Sequence, residues 1–186
     1  YGIPTIVLRM CNLFGPSDFN TDFRLIPKAM KNIYGNEVPE PPELYFDALG
    51  HWREYLFIDD AIRAILLLAC KSQCKGEVFN LLGCTYISTP DMLKTLVDIV
   101  VEVEKDEDEI LAETIKKNGI TMKVGPENRR VVTINKQCIN GEKIKNAIEF
   151  TPDFSCREGL KQTVLFYRGF FSKKILTSHE ERYNFQ

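Results

Sequence analysis

Histidine, long apolar runs and a strong charge of either sign are scarce or missing in this chain, and each shortage excludes a class of function. Two histidines, His51 and His179, stand among 186 residues, which leaves little material for cysteine–histidine catalysis. The longest apolar run, residues 64–70, is far too short to span a bilayer. A formal net charge of −2 favours neither nucleic acid nor an anionic membrane as a partner. No basic-then-apolar stretch of the signal-peptide kind opens the chain.

Several catalytic patterns are missing as well. The sequence has no glycine-rich loop of the phosphate-cradling kind and no Gly-x-Ser-x-Gly elbow. Cys70 and Cys74 have no second pair at zinc-finger spacing, so we predict no metal site. The six cysteines favour free, reduced and mostly buried thiols over metal ligands or disulfides. This usage indicates a cytosolic or nuclear compartment, and we expect a cytoplasmic protein.

What remains is enough for one compact domain, since 44% of the residues are apolar. The chain begins with Tyr1 rather than methionine, so we expect its natural N-terminus to lie upstream. The first apolar run, residues 5–9, predicts a strand buried on both faces that is stopped by Gly15 and Pro16. Ligands in α/β folds bind beyond the carboxyl ends of such strands, which places Asn12 where a ligand would be contacted.

Alternating helical and strand patterns follow, and together they predict an α/β fold. The clearest local signals are a helix start at Ser88, with Pro90 and Asp91 behind it, and a capping box formed by Ser155 and Glu158. Helices are predicted over residues 24–34, 61–71, 88–100, 140–148 and 155–171. Strands are predicted over residues 44–46, 55–58, 78–82 and 131–134.

Two stretches stand out from these patterns. The helix over residues 61–71 is apolar nearly all round, so we expect it to be buried, with Asp59 or Asp60 as its cap. Residues 102–109 hold six acids and one lysine, and we interpret residues 102–120 as an acidic insertion or an exposed helix. Residues 1–171 then form the folded unit, and residues 172–186 a C-terminal tail.

Arginines beside apolar strands or turns are the strongest candidates for a binding site. Arg24 heads a helix, while Arg53 and Arg130 each precede a strand. Guanidinium groups held at element ends suit bidentate binding of phosphate, so with Asn12 they could converge on a diphosphate. In the alternative, each arginine pairs with a nearby acid. The candidate pairs are Arg53 with Glu54 or Asp59, and Arg130 with Glu127.

Other polar and aromatic residues carry weaker signals. Tyr45, Phe46 and Trp52 could stack on a base or a sugar, although aromatic residues at such positions more often belong to the core. Cys11 lies beside Asn12, but no histidine lies near it in sequence, so we do not interpret it as a nucleophile.

Five segments carry a more specific signal when they are taken in order. They are residues 1–16, 24–27, 53–60 and 76–81, and Arg129-Arg130 followed by residues 154–160. The ordered set resembles the carboxyl-terminal half of the extended short-chain dehydrogenase/reductase family, namely its nucleotide-sugar epimerases and 4,6-dehydratases. The resemblance implies the C-terminal part of a Rossmann-like NAD(P)-binding fold joined to a small α/β substrate-binding domain. Residues 18–20 with residues 24–27 lean towards the CDP-glucose 4,6-dehydratase branch.

The resemblance also implies roles for single residues. Its nucleotide-diphosphate contacts would be Asn12, Arg53 and Arg130. Its sugar or nucleotide pocket would be lined by Arg24 and Leu25, with Phe46 beside the base. Departures from the family pattern occur at Glu54, where aspartate is usual, and at residues 47–49 and 82–84.

The family's chemistry is a transient hydride transfer to bound NAD or NADP, and its two key motifs are absent from these residues. Neither a Gly-x-x-Gly-x-x-Gly turn nor a Tyr-x-x-x-Lys pair occurs in the sequence, and arginines cannot replace a hydride acceptor and its base. We therefore expect a nucleotide-sugar-binding half that neither retains the cofactor nor turns over alone. Its partner would be an N-terminal Rossmann half, in cis or in trans. Formation of a homo-oligomer is a further possibility. The alternative is a non-catalytic, degenerate domain that serves as a structural or interaction subunit.

Overall fold

Strands and helices alternate along the chain in a computed structural model that describes residues 3–125 and 134–176, and the predicted α/β class is confirmed. The strands in these ranges are β1 (Val7–Met10), β2 (Asn12–Phe14), β3 (Glu43–Tyr45), β4 (Trp52–Phe57), β5 (Val78–Leu81), β6 (Thr85–Ser88) and β7 (Thr121–Lys123). The helices are α1 (Leu25–Tyr34), α2 (Ile58–Ala69), α3 (Thr89–Glu104), α4 (Glu109–Asn118), α5 (Glu142–Ile148) and α6 (Cys156–Leu176).

Three small sheets arise, and parallel pairing dominates them. Strand β1 pairs in parallel with β5, with Val7 opposite Val78. Strand β4 pairs in parallel with β2 and antiparallel with β6. Strand β3 pairs in parallel with β7. Parallel pairs need helical crossovers between their strands, which is why helices separate the paired segments.

The opening strand differs from its prediction in two ways. Strand β1 ends at Met10, and after Cys11 the chain enters β2 in another sheet, so Asn12 is a strand residue rather than part of a loop. The expected burial of this strand is wrong: Val7 is 50% exposed and Met10 39%. Among the described residues β1 has β5 as its one neighbour, which leaves its other edge unpaired.

Helix α2 also differs from its prediction. Its buried residues include Ala61, Ala64 and Leu68, whereas Ile65 and Leu66 on the opposite face are exposed. The expectation that this helix is buried nearly all round is therefore wrong in this chain. Ile65 and Ala69 of α2 line a shallow apolar depression together with Ile6 and Leu8.

The two aspartates expected to cap α2 do not do so. The helix begins at Ile58, and Phe57 occupies the cap position with no side-chain hydrogen bond. The buried carboxylate of Asp60 instead accepts hydrogen bonds from the backbone N–H groups of Asp153 (2.9 Å) and Phe154 (3.1 Å). Asp60 thereby joins α2 to the segment that leads into α6.

The structure contains the predicted caps at the starts of α3 and α6. Ser88 accepts a hydrogen bond from the Asp91 N–H at 3.2 Å, and Ser155 and Glu158 form the reciprocal capping box. Asn140 accepts from the N–H of Glu142 at the start of α5, although Gly141 holds the cap position.

Two hydrophobic clusters form the interior. One gathers α1, α3 and α6 with β2 and β4, and the other lies between α2, β5 and α5. One residue of the acidic stretch, Glu104 at the end of α3, is buried. It accepts a hydrogen bond from the Tyr34 hydroxyl at 2.8 Å and pairs with Arg168 of α6 at 3.2 Å. Helix α6 extends to Leu176, five residues into the segment expected to be a tail.

Two further predictions concern the strand over residues 131–134 and the absence of a membrane span. Residues 131–133 of the predicted strand 131–134 lie outside the described residues, and Ile134 itself is not in a strand. Within the described ranges no helix is both long and apolar enough to cross a membrane.

Candidate functional site

A cavity of about 500 Å³ opens where β1 passes into β2 and where α1 begins. Asn12, Asp18 and Arg24 supply its polar groups, and Phe14 and Leu25 supply part of its apolar wall. Three of the residues predicted to bind substrate, Asn12, Arg24 and Leu25, therefore come together here. The volume falls within the range of pockets that hold small molecules.

Asn12 reaches the cavity because β2 pairs with β4. It lies opposite Tyr55 in the parallel register, and its side-chain amide donates a hydrogen bond to the Glu54 carbonyl oxygen at 3.1 Å. This bond uses one of the two amide donors and fixes the side chain against β4. Tyr55 also lines the cavity, and burial raises the pKa of its hydroxyl to about 12, so it is neutral at physiological pH.

The loop after β2 forms the rim of the cavity. Gly15 has a φ of +154° and lies so close to α2 that a Cβ would come within 2.4 Å of an Ile58 methyl group. A side chain at this position would strain the turn, which explains the glycine. The loop ends at Arg24, which occupies the N-cap position of α1.

Arg24 and Asp18 face each other across this rim. The Arg24 Nε lies 3.6 Å from the Asp18 Oδ2, and the Arg24 side chain is 56% exposed. Because Nε faces the aspartate, the terminal guanidinium nitrogens can still bind a phosphate in bidentate fashion. Helix α6 supports the loop, since the buried Tyr167 donates its hydroxyl hydrogen to the Asp18 carbonyl oxygen and Phe19 packs on Phe170.

The guanidinium of Arg53 is hydrogen-bonded to backbone carbonyl oxygens of this chain. Its Nη1 donates to the carbonyl oxygens of Trp52 (2.8 Å) and Asn135 (3.0 Å), and its Nη2 donates to that of Ile134 (2.7 Å). These acceptors differ from Glu54 and Asp59, the nearby acids with which Arg53 would pair in the alternative interpretation. The described contacts of Arg53 attach the segment 134–135 to β4.

Glu54, which stands where the family usually has aspartate, continues the same attachment. Its carboxylate accepts a hydrogen bond from the Ile139 N–H at 2.8 Å and lies 3.9 Å from the Cys138 sulfur. Burial raises the pKa of this carboxyl above its ordinary value, although hydrogen bonds from the backbone of Ile139 and Gly83 oppose the shift. The longer side chain is therefore used to hold the segment 138–139.

The other predicted site residues do not join the cavity. Phe46 lies in a 3₁₀ turn, is 55% exposed and is not among the residues that line the cavity. Arg130 lies outside the described residues. Conversely, Asp18, Phe23 and Tyr55 line the cavity, and sequence reasoning did not assign them to it. Their placement depends on strand register and loop path, for which the sequence holds no local signal.

Cys11 lines the cavity but is not poised for nucleophilic chemistry. Burial raises the pKa of its thiol to about 12, so the reactive thiolate is negligible at neutral pH. In the part of the chain that the structure describes, no group of three His, Cys, Asp or Glu side chains could hold a metal ion.

Gly83 packs closely against β4. Gly83 follows β5, yet a Cβ there would lie 2.7 Å from the Tyr55 carbonyl oxygen. This glycine therefore permits close packing of the turn on β4 rather than the approach of a phosphate. We derive no hydride step from these residues.

Comparison with known proteins agrees with the family resemblance. A model of the NAD dependent epimerase/dehydratase family matches residues 1–81. The dTDP-glucose 4,6-dehydratase 1 of Escherichia coli (strain K12) is 26% identical over 171 residues, which cover 90% of this chain and 42% of that protein. The chain thus spans less than half the length of this relative.

Solved structures share the fold. A dTDP-glucose 4,6-dehydratase from Bacillus anthracis in complex with NAD matches with a TM-score of 0.69 and 25% identity, over 95% of this chain and 49% of that one. A UDP-glucose 4-epimerase from Thermotoga maritima with UDP-glucose matches with a TM-score of 0.67 and 25% identity, over 91% and 48%. The family model, the curated relative and the solved structures thus show what this chain is similar to: proteins of the NAD-dependent epimerase/dehydratase superfamily, with which it shares a Rossmann-like fold.

Proposed function

We propose that this chain is the nucleotide-sugar-binding part of an NAD-dependent sugar-nucleotide 4,6-dehydratase or epimerase. The observation that carries the proposal is the cavity in which Asn12 and Arg24 meet. An exposed guanidinium at the cavity rim provides charge-assisted donors for a diphosphate, and the adjoining apolar wall suits the faces of a sugar or a base. The structural relatives that act on nucleotide sugars support the same substrate class.

Each predicted contact has its place in this proposal. Arg24 binds the diphosphate, Asn12 orients it through its side-chain amide, and Leu25 packs against the sugar or the nucleotide. The family resemblance adds Arg53, Phe46 and Arg130. Of these, Arg53 reaches a ligand only if its bonds to the segment 134–135 are exchanged or shared.

Turnover requires groups that these residues do not contain. We propose that a Rossmann half, in cis or in trans, supplies NAD, which accepts the hydride, together with the Tyr-x-x-x-Lys acid/base pair. The unpaired edge of β1 and the exposed apolar residues of α2 support such a partner, because buried apolar contact is the main source of association energy. This chain alone then binds substrate without converting it. The free cysteines fit a reducing, cytoplasmic setting for this function.

One observation favours a second candidate function. The guanidinium of Arg53 is bonded to three backbone carbonyl oxygens of this chain, which is a structural use of a residue that the resemblance assigns to the diphosphate. A degenerate domain that stabilises an assembly without binding substrate would retain such a contact.

Calorimetric titration of the chain with CDP-, UDP-, GDP- and dTDP-glucose distinguishes the two functions. We expect one or more of these ligands to bind, and Arg24→Ala to weaken that binding by about tenfold or more, since a charge-assisted contact is lost. Lys31→Ala is the matched control, because Lys31 lies on the same helix but pairs with Asp22 away from the cavity. If none of the four ligands binds, either to the chain alone or to the chain joined to a cofactor-binding half, the result contradicts the binding function and favours the structural one.

A further inference from the structure

We propose that Asp18 makes the cavity selective for neutral sugars and against uronic acids, whose sugar ring carries a carboxylate. This inference rests on the proposed function and concerns the chemical class of the sugar within it. Asp18, which the family resemblance did not assign to the pocket, is the residue that discriminates between the two classes of sugar.

Three contacts hold Asp18 in the cavity wall, two of them to its carboxylate and one to its backbone. Oδ1 accepts a hydrogen bond from the Asn20 N–H at 3.2 Å, and Oδ2 lies 3.6 Å from the Arg24 Nε. The backbone is fixed independently, because the Tyr167 hydroxyl donates to the Asp18 carbonyl oxygen. The side chain is 26% exposed. Because both of its carboxylate oxygens have a partner, it remains in the cavity wall when a ligand enters.

The charges around the cavity give this carboxylate its effect. Of the described residues that line the cavity, Asp18 is the one acidic residue and Arg24 the one basic residue. A bound diphosphate uses the positive charge of Arg24, after which Asp18 is the anion nearest to the groups attached to the phosphates. A sugar hydroxyl can donate a hydrogen bond to that carboxylate, whereas a sugar carboxylate is repelled by it.

The test compares two ligands that differ only at C6 of the sugar, UDP-glucose and UDP-glucuronate. We expect the native chain to bind UDP-glucose about tenfold more tightly, the size of effect that one close like-charge contact produces in a partly solvated site. Asp18→Asn should bring the two dissociation constants together, mainly by tightening the binding of UDP-glucuronate. The ratio of the two constants is insensitive to the fraction of each variant that is folded.

Asp22→Asn is the matched control, because Asp22 lies in the same loop but is 67% exposed and pairs with Lys31 outside the cavity. This variant should keep the native ratio. Equal binding of both sugars by the native chain, tighter binding of UDP-glucuronate, or an unchanged ratio in Asp18→Asn would overturn the inference. An equal loss of UDP, UDP-glucose and UDP-glucuronate binding in Asp18→Asn would also overturn it, since Asp18 would then contact the nucleotide instead.

UDP alone distinguishes the failure of this inference from the failure of the proposed function. If UDP and both UDP-sugars fail to bind while another nucleotide sugar binds, the proposed function stands, and the ratio is measured with glucose and glucuronate attached to that nucleotide, with the same outcomes deciding. If no nucleotide of any kind binds, both fall. Binding of UDP without discrimination between the two sugars removes the inference about Asp18 alone.

Discussion

The carboxylate of Glu54 accepts a hydrogen bond from the backbone N–H of Ile139 at 2.8 Å, across 85 positions of the chain. Its neighbour Arg53 donates to the carbonyl oxygens of Ile134 and Asn135, and the Trp52 N–H donates to the Asn135 carbonyl oxygen as well. One short stretch of β4 thus holds the segment 134–139 through both side chains and backbone. The Arg53-Glu54 motif therefore has a folding role in this chain, whatever it binds.

Replacing Glu54 by alanine should lower stability because it removes the acceptor for the partly buried backbone N–H of Ile139. We expect the free energy of unfolding to fall by about 1–3 kcal/mol, the cost of leaving such a group without its partner. Urea denaturation followed by circular dichroism measures the change. Glu113→Ala serves as the control, because Glu113 is 70% exposed and makes one weak pair with Lys116, so its effect should stay within about 0.5 kcal/mol. Equal effects of the two substitutions would contradict the role assigned to Glu54.

The raised pKa of Glu54 predicts a pH dependence with a definite sign. A carboxyl whose pKa in the folded state lies above its ordinary value of 4.5 favours folding while it is protonated, and this contribution is lost as pH rises through the folded pKa. The stability of the native chain relative to Glu54→Gln should therefore fall as pH rises from about 4 towards 7. Denaturation curves of both proteins across this range give the difference directly.

Glu158 provides the opposite case within the same chain. Hydrogen bonds from the Ser155 side chain and backbone lower the pKa of its carboxyl, so its contribution is present above the ordinary pKa and is lost as pH falls. The difference between the native chain and Glu158→Gln should then rise with pH. Difference curves of the same sign for the two glutamates would show that one of these assignments is wrong.

The buried Glu104 makes Arg168 far more important than a surface arginine. Glu104 is 1% exposed and its carboxylate pairs with Arg168 of α6. Arg168→Ala should cost about 3–5 kcal/mol of unfolding free energy, because it removes the cationic partner of the buried Glu104 side chain. Arg157 joins α6 to α3 in the same way but through an exposed pair with Glu102, so Arg157→Ala should cost no more than about 1 kcal/mol. Chemical denaturation of the two variants compares them, and similar losses would refute the burial argument.

Local signals in the sequence predicted the parts of the fold that depend on nearby residues. The caps at Ser88 and Ser155 were foreseen because their bonds span three positions. Asp60 was misjudged as a cap because its true partners, Asp153 and Phe154, lie more than 90 positions away. Long-range acceptors of this kind follow from tertiary packing and leave no periodic pattern in the sequence.

The residues of the candidate site also differ in whether the sequence could predict them. Asn12, Arg24 and Leu25 reach one cavity, as ordered motifs allowed us to expect, whereas Asp18 and Tyr55 line it through loop path and strand register. The expected burial of β1 and α2 failed for a related reason. Apolar composition predicts that a surface needs a partner, but it does not show whether the same stretch of chain provides one.

The two faces of α2 should respond differently to the same substitution. Leu68 is 2% exposed and packs in the interior, whereas Leu66 is 61% exposed on the outer face. Leu68→Ala should cost about 2–5 kcal/mol of unfolding free energy through lost burial and the cavity it leaves. Leu66→Ala should change the stability of this chain by less than about 0.5 kcal/mol, because little apolar area is buried there and alanine is a good helix former. Thermal and urea unfolding of both variants measure the difference. A comparable loss for Leu66→Ala would mean that the outer face of α2 is already covered in solution, by a second copy or by another part of the protein, and would remove its support for a partner half.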